Sequence, residues 1–169
     1  MTLQVLLTTI ILSALNLLPA KMDSRGARVF LVATHLQEDP RDLPVQMGGG
    51  PAHGFWQFEK GGAVHGVMTH PATSKYAFDV CKARGVPFLV DDVYAALAKD
   101  EILSCCFARL LAWTDAAALP DPVPQSVDQA WEYYKRNWRP GKPGPDRWPG
   151  NWQAALAAVD ALDASDEPA

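Results

Sequence analysis

Apolar and polar residues follow each other along most of this chain with the spacing of helices rather than strands. At the N-terminus the apolar residues recur every three or four positions, which predicts an amphipathic helix. The residues of this stripe are Leu3, Leu6, Leu7, Ile10, Ala14, Leu17 and Leu18. A break follows, where Asp23 or Ser24 can cap a second helix. This helix runs to Glu38 and ends before Pro40. It is apolar on nearly every side, so we expect it in the middle of the fold.

The rest of the sequence predicts further helices separated by turns rich in proline and glycine. The predicted helices cover residues 72–84, 91–100, 102–113, 126–137 and 151–162. Residues 40–66 contain clustered glycine and proline and instead predict an irregular loop or a short hairpin. The fold class is therefore mainly α. We expect a single domain over residues 1–163 and a disordered tail over residues 164–169.

The apolar N-terminus has two further interpretations, a secretion signal and a membrane-spanning helix. No Lys or Arg precedes the apolar run, and five polar residues interrupt it, so neither pattern is complete. Those polar residues are Gln4, Thr8, Thr9, Ser13 and Asn16. We favour the first helix of a globular domain. Contact of this helix with a membrane stays open as the second interpretation, because its polar side also carries Val5, Leu12 and Leu15.

Composition narrows the classes of function. The chain has 169 residues, the length of one ordinary domain, and its net charge of -4 argues against nucleic acid as a partner. The three cysteines, Cys81, Cys105 and Cys106, lack the spacing of disulfide frameworks or zinc sites, so we expect buried thiols. The histidines also lack a metal-binding pattern, and we expect neither a metal nor a cofactor.

Glu38 is the first candidate for chemistry, because it is a carboxylate at the end of an apolar helix. Burial disfavours the charged form and raises the pKa of a carboxyl group, and the helix dipole at this end acts in the same direction. A carboxyl group that keeps its proton near neutral pH can protonate a glycosidic oxygen. The alternative is a solvated residue at a helix end.

The second candidate is the segment Gly54-Phe55-Trp56-Gln57, whose glutamine lies nineteen residues after Glu38. Glycine allows close approach of the backbone, aromatic rings offer flat faces for sugars, and an amide both donates and accepts hydrogen bonds. These are the residue types of a carbohydrate site. The alternative is an aromatic core cluster behind a turn, which we favour for Phe55.

Glu38 and the later Gly54–Gln57 segment together resemble the Glu and Gly-Leu-Met-Gln motifs of lysozyme-like lytic transglycosylases and goose-type lysozymes. A longer likeness, from LLPAKMDS to YYKRNWRPGKP, covers most of the chain. In this stretch the sequence is similar to small phage and prophage proteins that carry a lysozyme-like domain. The resemblance implies a lysozyme-like fold and peptidoglycan glycan strands as the partner.

The resemblance also implies roles for individual residues. Glu38 matches the catalytic acid and base, and Gln57 matches the glutamine that positions the substrate. Gly54 and Trp56 would shape the cleft. The family also has a tyrosine near the catalytic carboxylate, for which Tyr134 is the candidate.

Three features of the sequence leave alternatives to these roles. The neighbouring Tyr133 is a second candidate for the tyrosine. Asp39-Pro40 follows the glutamate where the family usually has serine, and Trp56 replaces a smaller aliphatic residue.

In the family reaction, one carboxyl group protonates the oxygen between MurNAc and GlcNAc and then removes a proton from the C6 hydroxyl, which closes a 1,6-anhydro ring. A hydrolytic lysozyme needs a second carboxylate, for which Asp39, Asp42 and Glu59 are the candidates. We interpret each of these three as an exposed charge, and we therefore favour transglycosylation over hydrolysis.

A different class of function is a structural protein of the phage particle, in its neck or tail, that has this fold and little or no activity. Virion proteins are then the expected partners. Either protein would be made in the host cytoplasm, and the enzyme would act in the virion or in the periplasm.

Overall fold

The helix that ends at Glu38 lies at the centre of the structure, a computed structural model that describes residues 1–38, 52–141 and 144–165. This helix, α3 (Arg25–Glu38), packs along α9 (Trp148–Ser165) and also contacts the N-terminal segment. Its buried residues lie on all sides of the helix: Ala27, Val29, Phe30, Leu31, Val32, Ala33, Thr34, His35 and Gln37. The predicted central position is confirmed. Ser24 caps the helix, since its Oγ accepts a hydrogen bond of 3.1 Å from Ala27 N.

The N-terminal segment is helical as predicted, but one wide turn shifts which residues it buries. It consists of α1 (Leu3–Val5), a π-helical turn (Leu6–Ile11) and α2 (Leu12–Asn16). The amide of Leu12 donates to Leu7 O, a bond that spans five residues and rotates the following side chains. Ile11 and Leu15 are therefore buried, whereas Leu17, predicted on the buried stripe, is exposed.

This segment packs on α3 and on α7 (Glu101–Trp113), so most of its large apolar side chains are covered within the protein. No helix in the described part of the chain combines the length and the apolar composition needed to cross a membrane. Membrane contact by the segment stays a prediction.

The segment predicted as a loop or short hairpin contains a hairpin over residues 52–59. Strands β1 (Ala52–His53) and β2 (Phe58–Glu59) are antiparallel and pair Ala52 with Glu59 and His53 with Phe58. Residues 40–51, which include the Gly-Gly-Gly-Pro sequence, lie outside the described residues. The irregular segment ends earlier than predicted, because a π-helical turn (Lys60–Val64) and α4 (His65–Thr69) follow the hairpin. Glycines within both elements hid this helical signal.

The later helices confirm the predicted pattern within a few residues at each end. They are α5 (Ser74–Ala83), α6 (Val90–Leu97), α7, α8 (Val127–Trp138) and α9. Short 3-10 turns at Ala20–Met22, Pro124–Ser126 and Pro145–Arg147 lead into α3, α8 and α9. Residues 164 and 165, predicted in the tail, belong to α9, and residues 166–169 lie outside the described residues.

The three cysteines are buried free thiols, as the sequence predicted. Burial raises the pKa of Cys81 to about 12, and the Cys106 thiol donates a hydrogen bond of 3.4 Å to Ala14 O. A thiol with a raised pKa is rarely ionised at neutral pH and reacts slowly. The cysteines therefore act as packing residues between α5, α7 and the N-terminal segment.

Gly54 begins the hairpin turn in a position that excludes a side chain. Its φ of +73° lies in the left-handed region. A Cβ here would overlap Ser104 Oγ and lie 2.6 Å from Leu97 O, a backbone atom that cannot turn aside. The missing side chain thus lets the hairpin rest on α6 and α7.

We expect Gly54→Ala to destabilise the protein by roughly 3 kcal/mol, from overpacking and backbone strain together. Gly85→Ala is the matched control, because Gly85 has a similar φ of +69° but open space at its Cβ. It should cost about 1 kcal/mol, the strain alone. Urea unfolding measures both losses, and equal losses would contradict the packing role of Gly54.

Candidate active site

A hydrogen bond joins Glu38 to Tyr134, the candidate for the tyrosine that the resemblance implies near the carboxyl group. Tyr134 OH, on α8, donates to Glu38 Oε1 at 2.6 Å across 96 residues of sequence. The alternative tyrosine, Tyr133, instead donates to Ala112 O at 2.7 Å. The structure therefore selects Tyr134 as the tyrosine beside the carboxyl group.

Aromatic rings hold Tyr134 in this position. Trp131, Tyr134 and Trp138 follow one another at helical spacing on the same side of α8, and both indoles stack on the phenol ring. Trp148, at the start of α9, stacks on its ring with centroids 5.1 Å apart. Tyr134 is 1% exposed, while Trp131 and Trp138 are half-buried. The sequence analysis missed these tryptophans, although the i, i+3, i+7 spacing was a usable signal.

The Glu38 carboxyl group is a weaker acid than an ordinary glutamate. Burial raises its pKa from 4.5 to about 7, and the hydrogen bond from Tyr134 and the positive charge of Arg147 act in the opposite direction. The predicted direction of this shift is confirmed. At neutral pH, both the protonated and the charged forms of Glu38 are therefore populated.

A second set of hydrogen bonds connects the end of α3 to residues just before and within the first turn of α9. Gln37 Nε2 donates to Gly144 O at 3.1 Å, and Asn151 Nδ2 donates to Gln37 Oε1 at 2.8 Å. Arg147 Nη2 donates to the backbone oxygen of Gln37 at 2.8 Å. We call this set the Gln37 clasp. The sequence analysis missed it, because its bonds join residues more than 100 positions apart and no motif marks them.

Gln57 closes the hairpin turn and keeps part of its side chain accessible. Its φ of +51° is unusual for a residue with a side chain, and both its amide N and its Nε2 donate to Gly54 O at 2.9 Å. Its carboxamide oxygen has no hydrogen-bond partner within the described part of the chain. Gln57 is half-buried, so this oxygen is the group with which it could bind a ligand.

Trp56 does not offer the exposed indole face that the sequence analysis predicted for sugar binding. It is 0% exposed, and its Nε1 donates to Leu31 O at 3.0 Å. Its own carbonyl accepts from Trp138 Nε1 at 3.2 Å. The assignment of Trp56 to substrate contact was therefore wrong, because a buried ring between α3 and α8 cannot stack on a ligand. Phe55 is also core, as expected, and His35 packs against both rings.

The candidates for a second carboxylate remain without support. Glu59 is exposed at the end of β2, and Asp39 and Asp42 lie outside the described residues. The described residues include no cluster of His, Cys, Asp or Glu that could hold a metal ion.

A groove of about 290 Å³ lies at the other end of α3 and does not belong to this site. Its lining includes Arg25, Pro122 and Leu156. Because α3 rises about 1.5 Å per residue, Arg25 lies roughly 20 Å from Glu38.

Comparison with known proteins finds no match for this chain among family models, curated proteins or solved structures. The family resemblance of the motifs therefore contributes to the proposal below and not to an identification.

Replacing Tyr134 by Phe should raise the pKa of Glu38 further above about 7. The change removes the hydrogen bond that favours the carboxylate and keeps the ring in its aromatic surroundings. Tyr133→Phe is the control, because this variant loses a similar buried bond to Ala112 O instead. NMR titration of glutamate labelled with ¹³C at the carboxyl carbon gives the pKa in each variant. An unchanged Glu38 pKa in Tyr134→Phe would show that the bond has no electrostatic effect.

Proposed function

We propose that this protein cleaves the β-1,4 bond between MurNAc and GlcNAc in peptidoglycan, as a lytic transglycosylase or muramidase with Glu38 as its single catalytic carboxyl group. The observation that carries the proposal is the 2.6 Å hydrogen bond from Tyr134 to a carboxyl group whose pKa is raised to about 7. A group with this pKa gives and takes a proton equally well near neutral pH. The family resemblance of Glu38, Gln57 and Tyr134 supports the same chemistry.

The favoured reaction is transglycosylation, which uses both forms of Glu38 in turn. Protonated Glu38 gives its proton to the bridging oxygen, and the bond from that oxygen to C1 of MurNAc breaks. The C6 hydroxyl oxygen of the same sugar then bonds to C1, and the Glu38 carboxylate takes the hydroxyl proton. Because Oε1 accepts from Tyr134, we assign the transferred proton to Oε2. No second carboxylate is needed.

Substrate positioning falls to Gln57 and to the aromatic rings beside Tyr134. The carboxamide oxygen of Gln57, which has no hydrogen-bond partner among the described residues, can accept a hydrogen bond from a sugar hydroxyl or from an N-acetyl amide. Trp131 and Trp138 are half-buried and stack on Tyr134, so their accessible parts replace Trp56 in the proposed sugar contact. The two lie seven residues apart on α8, about 10 Å along the helix, so they could contact different rings of one glycan strand.

The second candidate is a structural protein of the phage particle with little or no activity. The burial of Trp56 favours this candidate, because it turns the segment most typical of carbohydrate binding into core packing. A gel containing purified peptidoglycan separates the two candidates: the enzyme clears it, and the structural protein leaves it intact.

Glu38→Gln should abolish clearing of peptidoglycan, because the amide can neither give nor take the proton. The same variant should become more stable than the wild type as pH rises. The pKa of Glu38 is raised in the folded state, so its contribution to stability is complete below pH 4.5 and is lost as pH rises through about 7. The gain should reach roughly 3 kcal/mol at pH 8, from a pKa difference of about 2.5 units.

Urea unfolding at pH 4 and pH 8 measures this gain, and the gel measures the loss of activity. Glu132→Gln is the control, because this carboxylate is exposed on the surface of α8, where it pairs with Lys135, and should matter little to either result. Clearing by Glu38→Gln would exclude Glu38 as the catalytic group.

The products should end in 1,6-anhydroMurNAc, one water lighter than hydrolysed ends, because Glu38 works without a second carboxylate. Mass spectrometry of digested peptidoglycan distinguishes the two kinds of end. Reducing MurNAc ends alone would identify a hydrolase and would direct mutagenesis to Asp42 and Glu59.

A further inference from the structure

Arg147 is an exposed cation near Glu38, and hydrogen bonds to backbone oxygens hold both its amide and its guanidinium in place. It ends the 3-10 turn Pro145–Arg147, and its amide bonds back to Gly144 O at 3.3 Å. Its Nη2 donates to Gln37 O at 2.8 Å, which places the guanidinium at the last turn of α3. Arg147 has no ion pair with a carboxylate among the described residues, in contrast to Arg25, Arg28, Arg84 and Arg136.

The Gln37 clasp keeps this arrangement rigid. Gln37 is buried, and its carboxamide bonds to Gly144 on one side and to Asn151 on the other. Gly144 has a φ of +56°, so the chain turns sharply just before Arg147. These bonds therefore hold Gln37, the residue before Glu38, in place. They also orient Arg147, which follows the turn.

The described ionisable groups that act on Glu38 come from two elements, Tyr134 from α8 and Arg147 from the 3-10 turn. Tyr134 stays neutral, because burial raises its pKa far above neutral pH. Arg147 thus supplies the positive charge in this set. A cation near a buried carboxyl group favours its ionised form, against the effect of burial.

We propose that Arg147 is a positioning residue for Glu38, whose guanidinium, fixed by Gln37 O, stabilises the carboxylate form between the two proton transfers. This inference rests on the proposed function for its catalytic consequence only. The placement of Arg147 beside the end of α3 stands on its hydrogen bond to Gln37 O, and its effect on Glu38 can be measured without substrate. In the reaction, the charge stabilises the carboxylate that the first proton transfer leaves behind, and this carboxylate then acts as the base.

The test compares Arg147→Gln and Arg147→Lys in the full chain. NMR titration with ¹³C-labelled glutamate carboxyl carbons follows Glu38, whose signal is identified by its absence in Glu38→Gln. In Arg147→Gln the protonated fraction of Glu38 at pH 8.5 should rise roughly two- to fivefold, as expected for one exposed, partly screened charge. Arg147→Lys keeps the charge and should restore most of the wild-type value.

Arg139→Gln is the matched control, because Arg139 is an exposed arginine after α8 whose guanidinium bonds to Arg136 O instead of to the end of α3. It should leave the titration unchanged. Circular dichroism of each variant checks that the fold is retained. In the cleavage assay, the basic limb of kcat/KM should move to higher pH in Arg147→Gln by the same amount as the NMR titration.

The possible failures are distinguishable. If the wild type cleaves peptidoglycan but Arg147→Gln leaves the Glu38 titration unchanged, the inference is overturned. If Gln and Lys at position 147 shift it equally, the hydrogen bond rather than the charge matters, which also overturns it. If the titration shifts as expected but the wild type does not cleave, the proposed function fails and the electrostatic role of Arg147 is supported.

Discussion

The burial of α3 on all its sides is the constraint on which the rest of the structure depends. A helix with apolar residues around its whole circumference needs partners everywhere, and α7, α9 and the N-terminal segment supply them. The helix ends in Gln37 and Glu38, whose polar groups still need partners. Tyr134 and the Gln37 clasp satisfy these groups with atoms from α8, from the 3-10 turn and from α9. The site is thus where the central helix leaves the core.

The aromatic residues near Glu38 form two groups that differ in burial and in contacts, a difference that the sequence alone does not show. Trp56 is buried in the core and links two helices. Its indole donates a hydrogen bond to α3, and its carbonyl accepts one from α8. The rings around Tyr134 instead fix a phenol against a carboxyl group while Trp131 and Trp138 keep part of their surface accessible. The proposed sugar contact therefore depends on α8 more than on the hairpin.

The sequence predicts features that depend on local periodicity and fails for those that depend on distant contacts. Helix positions and the burial of α3 follow from patterns within a few turns, and the motif resemblance names Tyr134, with Tyr133 as the alternative, as the tyrosine near Glu38. The π-helical turn could not be predicted, because it changes the phase of an otherwise regular stripe. The burial of Trp56 and the bonds of Gln37 and Arg147 depend on which elements meet in three dimensions. No local pattern in the sequence predicts these contacts.

The pKa of Glu38 results from opposing effects, and this opposition explains why the site combines several partners around one carboxyl group. Burial alone would hold the pKa of Glu38 higher and would disfavour the carboxylate that remains after the first proton transfer. The hydrogen bond from Tyr134 and the charge of Arg147 lower the pKa again, to about 7. A protein selected only for stability would replace this glutamate with a neutral residue, because a carboxylate at this position destabilises the fold at neutral and higher pH. The protein keeps Glu38 despite this loss of stability, and Tyr134, Arg147 and the Gln37 clasp surround its carboxyl group. This concentration of partners around one titratable side chain is the physical argument that Glu38 has a chemical role.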